Sequence, residues 1–244
     1  MYLLNGFKIR EFLELESTNS ETWRLAEELE DRSVIITPHQ TQGRGNDGNT
    51  WESEPGKNIS MTILLRPVGL LASEQFILSM LVALGTLDFV ARHVPGATIK
   101  WPNDIYVDDR KIAGILIEHM VHRDTIHLSL CGVGLNVNQA RFISDAPNPV
   151  SLYQLLGREI PLRQALAQLL EAIGARLDAP RDYPATRVEY TSRLYRGTGI
   201  YPWKDNWGRF RASIRGVNKY GQLLLDDETG RQRVYGFKEV RYVL

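Results

Sequence analysis

Three strand-like segments follow one another between residues 98 and 119 with almost no chain between them. Residues 98–101, 104–107 and 111–119 are rich in β-branched and apolar side chains, and Asp108-Asp109 has the composition of a hairpin turn. Connections this short join neighbouring strands, so this part of the chain is committed to a sheet. The rest of the fold has to accommodate this sheet.

Helical and strand patterns alternate through the rest of the first 196 residues. Thr18 and Glu21 have the spacing of a capping box, which predicts that a helix begins there. The predicted strands are 7–15, 33–39, 58–65 and 125–138, and the predicted helices are 18–29, 73–93, 151–156, 161–177 and 186–194. This mixture predicts an α+β body.

The character of the chain changes after Arg196-Gly197. Short strands with turn signals between them are predicted at 210–217, 222–225, 232–235 and 239–243. About 45 residues of this pattern are typical of a small β-barrel or sheet. We therefore predict two domains, 1–196 with the candidate site and 197–244 as a small C-terminal β-barrel.

Composition excludes several classes of function. The chain has 244 residues, 43% of them hydrophobic, and its 29 basic and 29 acidic side chains give zero net charge. A neutral chain has no broad attraction to nucleic acid or to an anionic membrane. The lone Cys131 excludes an internal disulfide, and residues 1–10 lack the features of a signal peptide. We expect a cytoplasmic protein without a membrane partner, and a packed core thiol at Cys131.

Charged and apolar features meet in the run from Lys100 to Glu118. It contains Lys100-Trp101-Pro102-Asn103-Asp104, followed by Lys111 at the start of a nearly uncharged strand. Both lysines are expected at the rim of buried structure, where each can neutralise an anion. Asp104 can accept a hydrogen bond from an amine, help to hold a divalent ion, or cap the turn. The run suits a ligand with one apolar and one anionic end.

A polar loop over residues 40–57 is longer than a tight turn requires. Its Gly43-Arg44-Gly45-Asn46-Asp47-Gly48 is neither a Walker loop nor a dinucleotide fingerprint. The glycines allow backbone N–H groups to approach an anion and Arg44 can bind phosphate, but a solvated surface loop fits the same residues. Trp51 can stack on a purine or anchor the loop. Gly132 and Gly134, inside a predicted strand, indicate close approach by a ligand or another backbone.

Taken together, these motifs resemble the biotin protein ligases, over nearly the whole chain. The resemblance rests on Glu16-Ser17-Thr18-Asn19, residues 40–51, residues 100–104, residues 110–118, residues 132–136 and the C-terminal β region. It implies a mainly antiparallel sheet with helices, of the class II aminoacyl-tRNA synthetase and biotin/lipoate ligase type. It also implies biotin and ATP as substrates, with Mg²⁺, and a biotin carboxyl carrier domain as partner.

The resemblance implies a two-step reaction with assigned roles. The biotin carboxylate attacks the α-phosphate of ATP to give biotinyl-5′-adenylate, and a carrier lysine then displaces AMP. The catalytic residues would be Arg44, Lys100, Asp104 and Lys111, with Asp104 steering or deprotonating the lysine. ATP would contact Arg44, Trp51, Lys100, Asn103, Lys111 and Asn136, with Trp51 and Asn136 at the adenine.

Biotin would occupy a mixed polar and apolar site. The resemblance places its ureido ring against Ser17, Thr18 and Gln40, with the backbone of Gly43 and Gly45. Its apolar part would lie against Gly114, Ile115, Leu116, Gly132 and Gly134. Asn19, Arg44, Asn46 and Lys111 complete the expected biotin contacts.

Two departures from the family pattern carry expectations. Relatives often have a basic residue just after Gly-Arg-Gly, where this chain has Asn46 and Asp47, so retention of the adenylate by this loop is open. Some relatives begin with a DNA-binding helix-turn-helix, whereas this sequence starts at the catalytic strand, so we expect no DNA binding. The chain is expected to be a monomer or a homodimer.

Two other functions share most of these features. A lipoate or octanoate protein ligase has the same fold, but it has no need for the ureido-reading set of Ser17, Thr18 and Gln40. A non-catalytic biotin or adenylate sensor needs no catalytic residues, and the presence of Arg44, Lys100, Asp104 and Lys111 argues against it.

Overall fold

An eight-stranded mixed sheet forms the centre of the protein. The computed structural model describes residues 1–180 and 182–243, apart from the side chain of Asp47, so the expectation for that carboxylate lies outside the described residues. The strands are β1 (Tyr2–Leu4), β2 (Phe7–Glu11), β3 (Ser33–Thr37), β4 (Ile59–Leu65), β5 (Ala97–Lys100), β6 (Asp104–Val107), β7 (Arg110–His122) and β8 (Thr125–Leu135). Their order is β1-β2-β3-β4-β8-β7-β6-β5, and only the β2–β3 pair is parallel.

Five helices are distributed unequally over the two faces of this sheet. They are α1 (Thr18–Arg24), α2 (Phe76–Ala91), α3 (Leu152–Leu156), α4 (Leu162–Asp178) and α5 (Tyr183–Ser192). Helices α2 and α4 pack on each other and share one core with the sheet residues Ile63, Cys131 and Ile115. Cys131 is fully buried, and burial raises the pKa of its thiol to about 12, so the packed core thiol is confirmed.

The opposite face of the sheet is only partly covered. Helix α1 and the residues after it form a second, smaller core with Ile35, Leu64 and Leu130. Residues that pair directly across neighbouring strands point to the same face, and Leu64 pairs with Leu130, which pairs with Glu118. The covered part of this face ends there. The candidate site occupies the neighbouring part of the same face.

The C-terminal residues form a second sheet. Its strands are β9 (Tyr201–Asp205), β10 (Gly208–Val217), β11 (Leu223–Asp227), β12 (Gln232–Tyr235) and β13 (Val240–Tyr242), in the order β12-β11-β10-β9-β13. Among the described strands, the two outer ones do not pair with each other, so the sheet is open and a closed barrel is not confirmed. Its buried Trp203 belongs to the main core, so the two sheets are packed together.

The predicted α+β mixture is confirmed, with local corrections. Strands β1 and β9 were not expected, and α1 is shorter than the predicted helix. The predicted capping box at Thr18 is wrong, because Ser17 is the N-cap and the Thr18 hydroxyl lies 3.1 Å from Gln40 Oε1 instead. A capping box does open α3, where Ser151 and Gln154 exchange side-chain and backbone hydrogen bonds.

Residues Ala72–Ala91, which include α2, are long and apolar enough to cross a membrane by composition alone. In the folded chain 61% of this window is buried, against α4 and the sheet. A central core helix has the same composition, so this stretch carries no argument for a membrane.

We predict that Gly85→Ala destabilises the protein by about 1 to 3 kcal/mol, the usual cost of overpacking a core. A Cβ on Gly85 would lie 2.6 Å from Ile173 Cα, so α2 and α4 would have to separate. Urea denaturation measures the change, with Ser79→Ala on the same helix as a control that we expect within about 0.5 kcal/mol of the wild type. Equal stability of the two variants would contradict the close helix contact.

Candidate functional site

A cavity of about 400 Å³ opens on the partly covered face of the large sheet. Its base is formed by β4, β8, β7 and β6, one wall by the start of α1, and another by the loop after β3. The C-terminal segment supplies the last wall, through Phe237, Lys238, Val240, Arg241 and Tyr242. Strands, a helix end and two loops therefore meet at one place.

Two parallel rows of cross-strand neighbours form the base of this cavity. The first, which we call the glycine row, consists of Ser60, Gly134, Gly114 and Asp104, each paired with the next. The second, the threonine row, consists of Thr62, Gly132 and Leu116. Small or polar residues in these rows leave open the face that would otherwise need a covering helix.

The loop of residues 43–51, the glycine loop, is a closed hairpin. Trp51 N donates to Gly43 O at 2.8 Å, and Gly45 N donates to Asn49 O at 2.7 Å. A Cβ on residue 43 would lie 2.5 Å from the Trp51 carbonyl oxygen, so only glycine allows the two arms to approach this closely. Main-chain hydrogen bonds therefore order this segment, although Arg44 and residues 48–50 are exposed at the surface.

The indole of Trp51 lies flat on the glycine row. A Cβ on Gly134 would be 2.4 Å from Trp51 Cε2, and one on Gly114 would be 3.1 Å from Trp51 Cζ3. A Cβ on Gly132 would similarly meet the Asn19 side chain at 2.2 Å. The glycines thus give room to protein side chains in this structure, in the region where the resemblance predicts the apolar part of biotin.

A chain of hydrogen bonds links the predicted biotin contacts at the threonine row. Gln40 Oε1 accepts from Thr18 N at 2.8 Å, and Thr62 Oγ1 lies 2.9 Å from Thr18 Oγ1 and 2.6 Å from Asn19 Oδ1. Asn19 Nδ2 then donates to Glu118 Oε2 at 2.9 Å. These side chains are fixed by one another, which is how a site that discriminates polar ligand atoms is organised.

Glu118 extends this chain of hydrogen bonds to the glycine loop. Its carboxylate accepts from Trp23 Nε1 at 3.3 Å and pairs with Arg44 Nη2 at 3.1 Å. Neither Glu118 nor Thr62 was predicted as a site residue. The signal was present in the strand patterns: Thr62 is a polar residue in an apolar strand, and Glu118 is the acidic residue that ends the apolar part of β7.

The two predicted catalytic lysines have different surroundings. Lys111 Nζ forms an ion pair with Asp104 Oδ1 at 2.8 Å and lies 5.6 Å from the centre of the Trp51 ring. Lys100 Nζ donates to the Tyr106 hydroxyl at 2.9 Å and lies over the rings of Tyr106 and Tyr242. Burial lowers the pKa of Lys100. Lys111 is thus neutralised by a carboxylate, whereas Lys100 is surrounded by aromatic rings.

The residues between Lys100 and Asp104 attach this segment to the rest of the protein. Trp101 Nε1 donates to Gly221 O at 2.9 Å, and the Tyr190 hydroxyl donates to Pro102 O at 2.5 Å. Asn103 Nδ2 donates to Ile115 O. The C-terminal sheet, α5 and β7 therefore hold this turn in place, and the flanking Lys100 and Asp104 are presented to the cavity.

All the predicted site residues line this cavity except Gly43 and Asn136. Gly43 lies behind Trp51 in the hairpin. Asn136 is 2% exposed and its Nδ2 donates to Val150 O at 3.0 Å, so its side chain faces the segment that also holds Lys111. Its predicted contact with adenine stays a prediction, as do the individual ligand contacts of the lining residues.

Acidic groups are scarce around the cavity. Asp104 is the one carboxylate among the described lining residues, against Arg44, Lys100, Lys111, Lys238 and Arg241. The part of the chain that the structure describes contains no group of three or more histidine, cysteine or acidic residues placed to hold a metal ion. The cavity is therefore built to receive anions.

Comparison with known proteins agrees with this geometry. The model of the biotin/lipoate A/B protein ligase family matches residues 11–136, more than half of the chain. The chain is 30% identical over 234 residues to the bifunctional ligase/repressor BirA of Bacillus spizizenii, covering 88% of this chain and 70% of that protein. The chain belongs to the biotin/lipoate A/B protein ligase family.

Two further proteins that resemble the chain are both named as biotin ligases. Over 203 residues the chain is 36% identical to the biotin–acetyl-CoA-carboxylase ligase of Mycobacterium tuberculosis, covering 80% of this chain and 74% of that one. The structure of a biotin protein ligase from Aquifex aeolicus in complex with biotin and ATP matches 97% of this chain and 99% of that chain, with a TM-score of 0.78 and 22% identity. The second similarity confirms the fold predicted from the resemblance.

We predict that Lys100→Met changes how stability depends on pH. The folded protein releases the Lys100 proton at a lowered pKa, whereas the unfolded chain keeps it up to the ordinary value of 10.5. Between these two values the unfolded state binds more protons, so the free energy of unfolding of the wild type rises with pH relative to Lys100→Met. Urea denaturation of both proteins from about pH 7 to about pH 10 measures this difference.

Lys57 supplies the control for this measurement. Its hydrogen bond to Glu159 raises the pKa of its ammonium group, so the stabilisation by Lys57 is retained up to 10.5 and lost only above it. Lys57→Met should therefore show no comparable pH-dependent difference from the wild type. The same slope in both variants would refute the specific effect of Lys100 burial.

Proposed function

We propose that this protein is an ATP-dependent biotin protein ligase. It joins the carboxylate of biotin to the α-phosphate of ATP, releasing pyrophosphate, and then transfers the biotinyl group from the adenylate to a lysine of a biotin carboxyl carrier domain. The relatives named as biotin ligases support this function. The observation that carries it is one cavity lined both by a hydrogen-bonded polar set and by basic residues.

The hydrogen-bonded polar set suits a ring that both donates and accepts hydrogen bonds. Thr18, Asn19 and Gln40 are held in fixed orientations by Thr62 and by one another. Preorganised donors and acceptors favour a ligand whose polar atoms match them, because a mismatched ligand leaves buried polar groups unpaired. A ureido ring has this mixed character, whereas the linear chain of lipoate or octanoate does not.

The basic residues of the cavity serve the first chemical step. A carboxylate and a phosphate brought within about 4 Å repel each other by roughly 4 kcal/mol at a protein surface. Arg44 and Lys111 carry positive charge that offsets this repulsion and stabilises the charge that develops as the phosphate is attacked. Each of them is paired with a carboxylate in this structure, and the substrate anions replace those partners on binding.

The second step requires a neutral amine. The lysine nitrogen attacks the acyl carbon of the adenylate, the bond from that carbon to the phosphate oxygen breaks, and AMP leaves. Asp104 accepts the proton that the lysine nitrogen loses. It is the one carboxylate among the described lining residues, and its ion pair with Lys111 places it beside the group that binds the reacting carboxylate.

In the proposed reaction, Mg²⁺ binds to the protein together with ATP. The described residues offer no ready-made ligand cluster, and a single lining carboxylate agrees with an ion that is carried mainly by the phosphates. Asp104 is the residue that would contribute an oxygen from the protein side.

We predict that the protein transfers biotin, and not lipoate, to a carrier domain. The protein is incubated with MgATP, a biotin carrier domain and either acid, and the carrier is then weighed by mass spectrometry. The expected result is a biotin-sized increment with biotin and none with lipoate. A lipoate-sized increment would identify the related ligase, and tight biotin binding with no increment would identify a sensor.

We predict that Lys111 and Asp104 affect different steps. Lys111→Ala should lower the rate of adenylate formation by at least about 100-fold, as expected for removal of one preorganised charge partner. Asp104→Asn keeps the size of the side chain and should slow transfer more than adenylate formation. Pyrophosphate release reports the first step, and carrier labelling from isolated biotinyl-adenylate reports the second. Equal losses in both steps for both variants would contradict this division.

A further inference from the structure

Ser60 is a buried polar residue of the cavity that neither the family resemblance nor the proposed reaction uses. It is 3% exposed, it lines the cavity, and its hydroxyl has no hydrogen-bond partner among the described residues. A buried hydroxyl without a partner costs about 1 to 3 kcal/mol. That cost is recovered if a bound ligand supplies the missing partner.

A second unpartnered polar atom lies over the next residue of the glycine row, Gly134. Trp51 Nε1 is buried without an acceptor, and it would be 2.6 Å from a Cβ on Gly134, the residue directly across from Ser60. The opposite edge of the indole lies over Gly114 on β7, so the Nε1 edge faces β4 and Ser60. Two donors therefore converge on the same part of the glycine row.

The position of this pair relative to Thr62 defines which ligand atom it meets. Ser60 and Thr62 lie two residues apart on β4, or about 7 Å, and Thr62 belongs to the set that we assign to the ureido ring. We assign the ligand carboxylate to Lys111, whose Nζ lies near Gly114. In a ligand that reaches from Thr62 to Lys111, one side of the second ring would therefore lie next to Ser60.

We propose that Ser60 donates a hydrogen bond to the thioether sulfur of bound biotin, with Trp51 Nε1 as a second donor at the same place. This inference rests on the proposed function, because it assumes that biotin is the ligand. Sulfur is the polar atom of the second ring, and a thioether accepts weak hydrogen bonds. Ser60 is thereby a residue that discriminates biotin from analogues that lack the sulfur.

The test compares the binding of biotin and of desthiobiotin, which lacks the sulfur, by calorimetry. Ser60→Ala should raise the Kd for biotin about three- to tenfold, in the range of one neutral hydrogen bond. The Kd for desthiobiotin should change less than about twofold, since no partner is lost with that ligand. In the ligand-free protein the Tm should stay the same or rise, because an unpaired buried hydroxyl is removed.

Ser129→Ala is the matched control. Ser129 is also fully buried on a strand of the same sheet, but its hydroxyl is 2.8 Å from His119 Nδ1 and it lies outside the lining of the cavity. This variant should lower the Tm and leave both Kd values unchanged. The two serines are thus expected to show opposite patterns of binding and stability.

Each other outcome overturns the proposal. If Ser60→Ala raises the Kd of both ligands by the same factor, Ser60 acts on a group that they share or on the structure of the site. If it raises the Kd of neither ligand, Ser60 makes no contact with the substrate. If the wild-type protein binds desthiobiotin but not biotin, or binds neither, the proposed function fails with it, and the wild-type titration alone shows this.

Discussion

The two-residue period of the β-strand is the constraint on which both the core and the candidate site depend. On β4, and on β8 from Cys131 to Leu135, every second residue faces α2 and α4 and is apolar, and the residues between them face the opposite side. That second side changes character along the strands, from the leucines packed beneath α1 to the polar and glycine residues of the two rows. A shift of register by one residue would exchange these sets, placing Ser60 and Thr62 in the core and Met61 in the cavity. The core packing therefore fixes the positions of the residues that line the cavity.

Many of the polar groups in the rows are stabilised by hydrogen bonds that cross between elements distant in sequence. Thr62 on β4 contacts Asn19 on α1, which contacts Glu118 on β7, which contacts Arg44 in the glycine loop. Loss of Thr62 or Asn19 leaves a buried donor or acceptor unpaired, so α1 and the sheet are organised together, and the exposed Arg44 contact adds the loop to them. The unpartnered Ser60 hydroxyl, Trp51 Nε1 and Tyr242 hydroxyl are exceptions among the described lining residues, and the first two lie at the glycine row.

Local patterns were sufficient to predict most elements and most lining residues. The strands 104–107 and 232–235 have the predicted bounds, because alternating apolar residues and turn signals are local properties. The capping box at Thr18 was wrong because a tertiary contact with Gln40 replaced a local one. Glu118, Thr62 and Ser60 were missed for a related reason: their importance comes from register and from partners far along the chain, which periodicity does not show. The second sheet also contributes residues to the cavity wall, namely Phe237, Lys238 and Arg241, and their position depends on how it packs against the first sheet.

The magnitudes of its contacts indicate what holds the glycine loop against the sheet. The ion pair between Arg44 and Glu118 is substantially exposed, with 47% of the arginine side chain accessible, and such pairs contribute about 0 to 1 kcal/mol. Packing of the Trp51 indole on Gly134 and Gly114 buries a large apolar surface, which contributes on the order of 1 to 3 kcal/mol. The ring is therefore the stronger anchor, and Arg44 is free to exchange its carboxylate for a phosphate at little cost. A ligand that occupies the glycine row has to share it with this ring. Since the ring and Arg44 belong to the same hairpin, a ligand that contacts the ring at the glycine row is coupled to the residue that we propose binds ATP, which gives a physical reason for the two substrates to influence each other's binding.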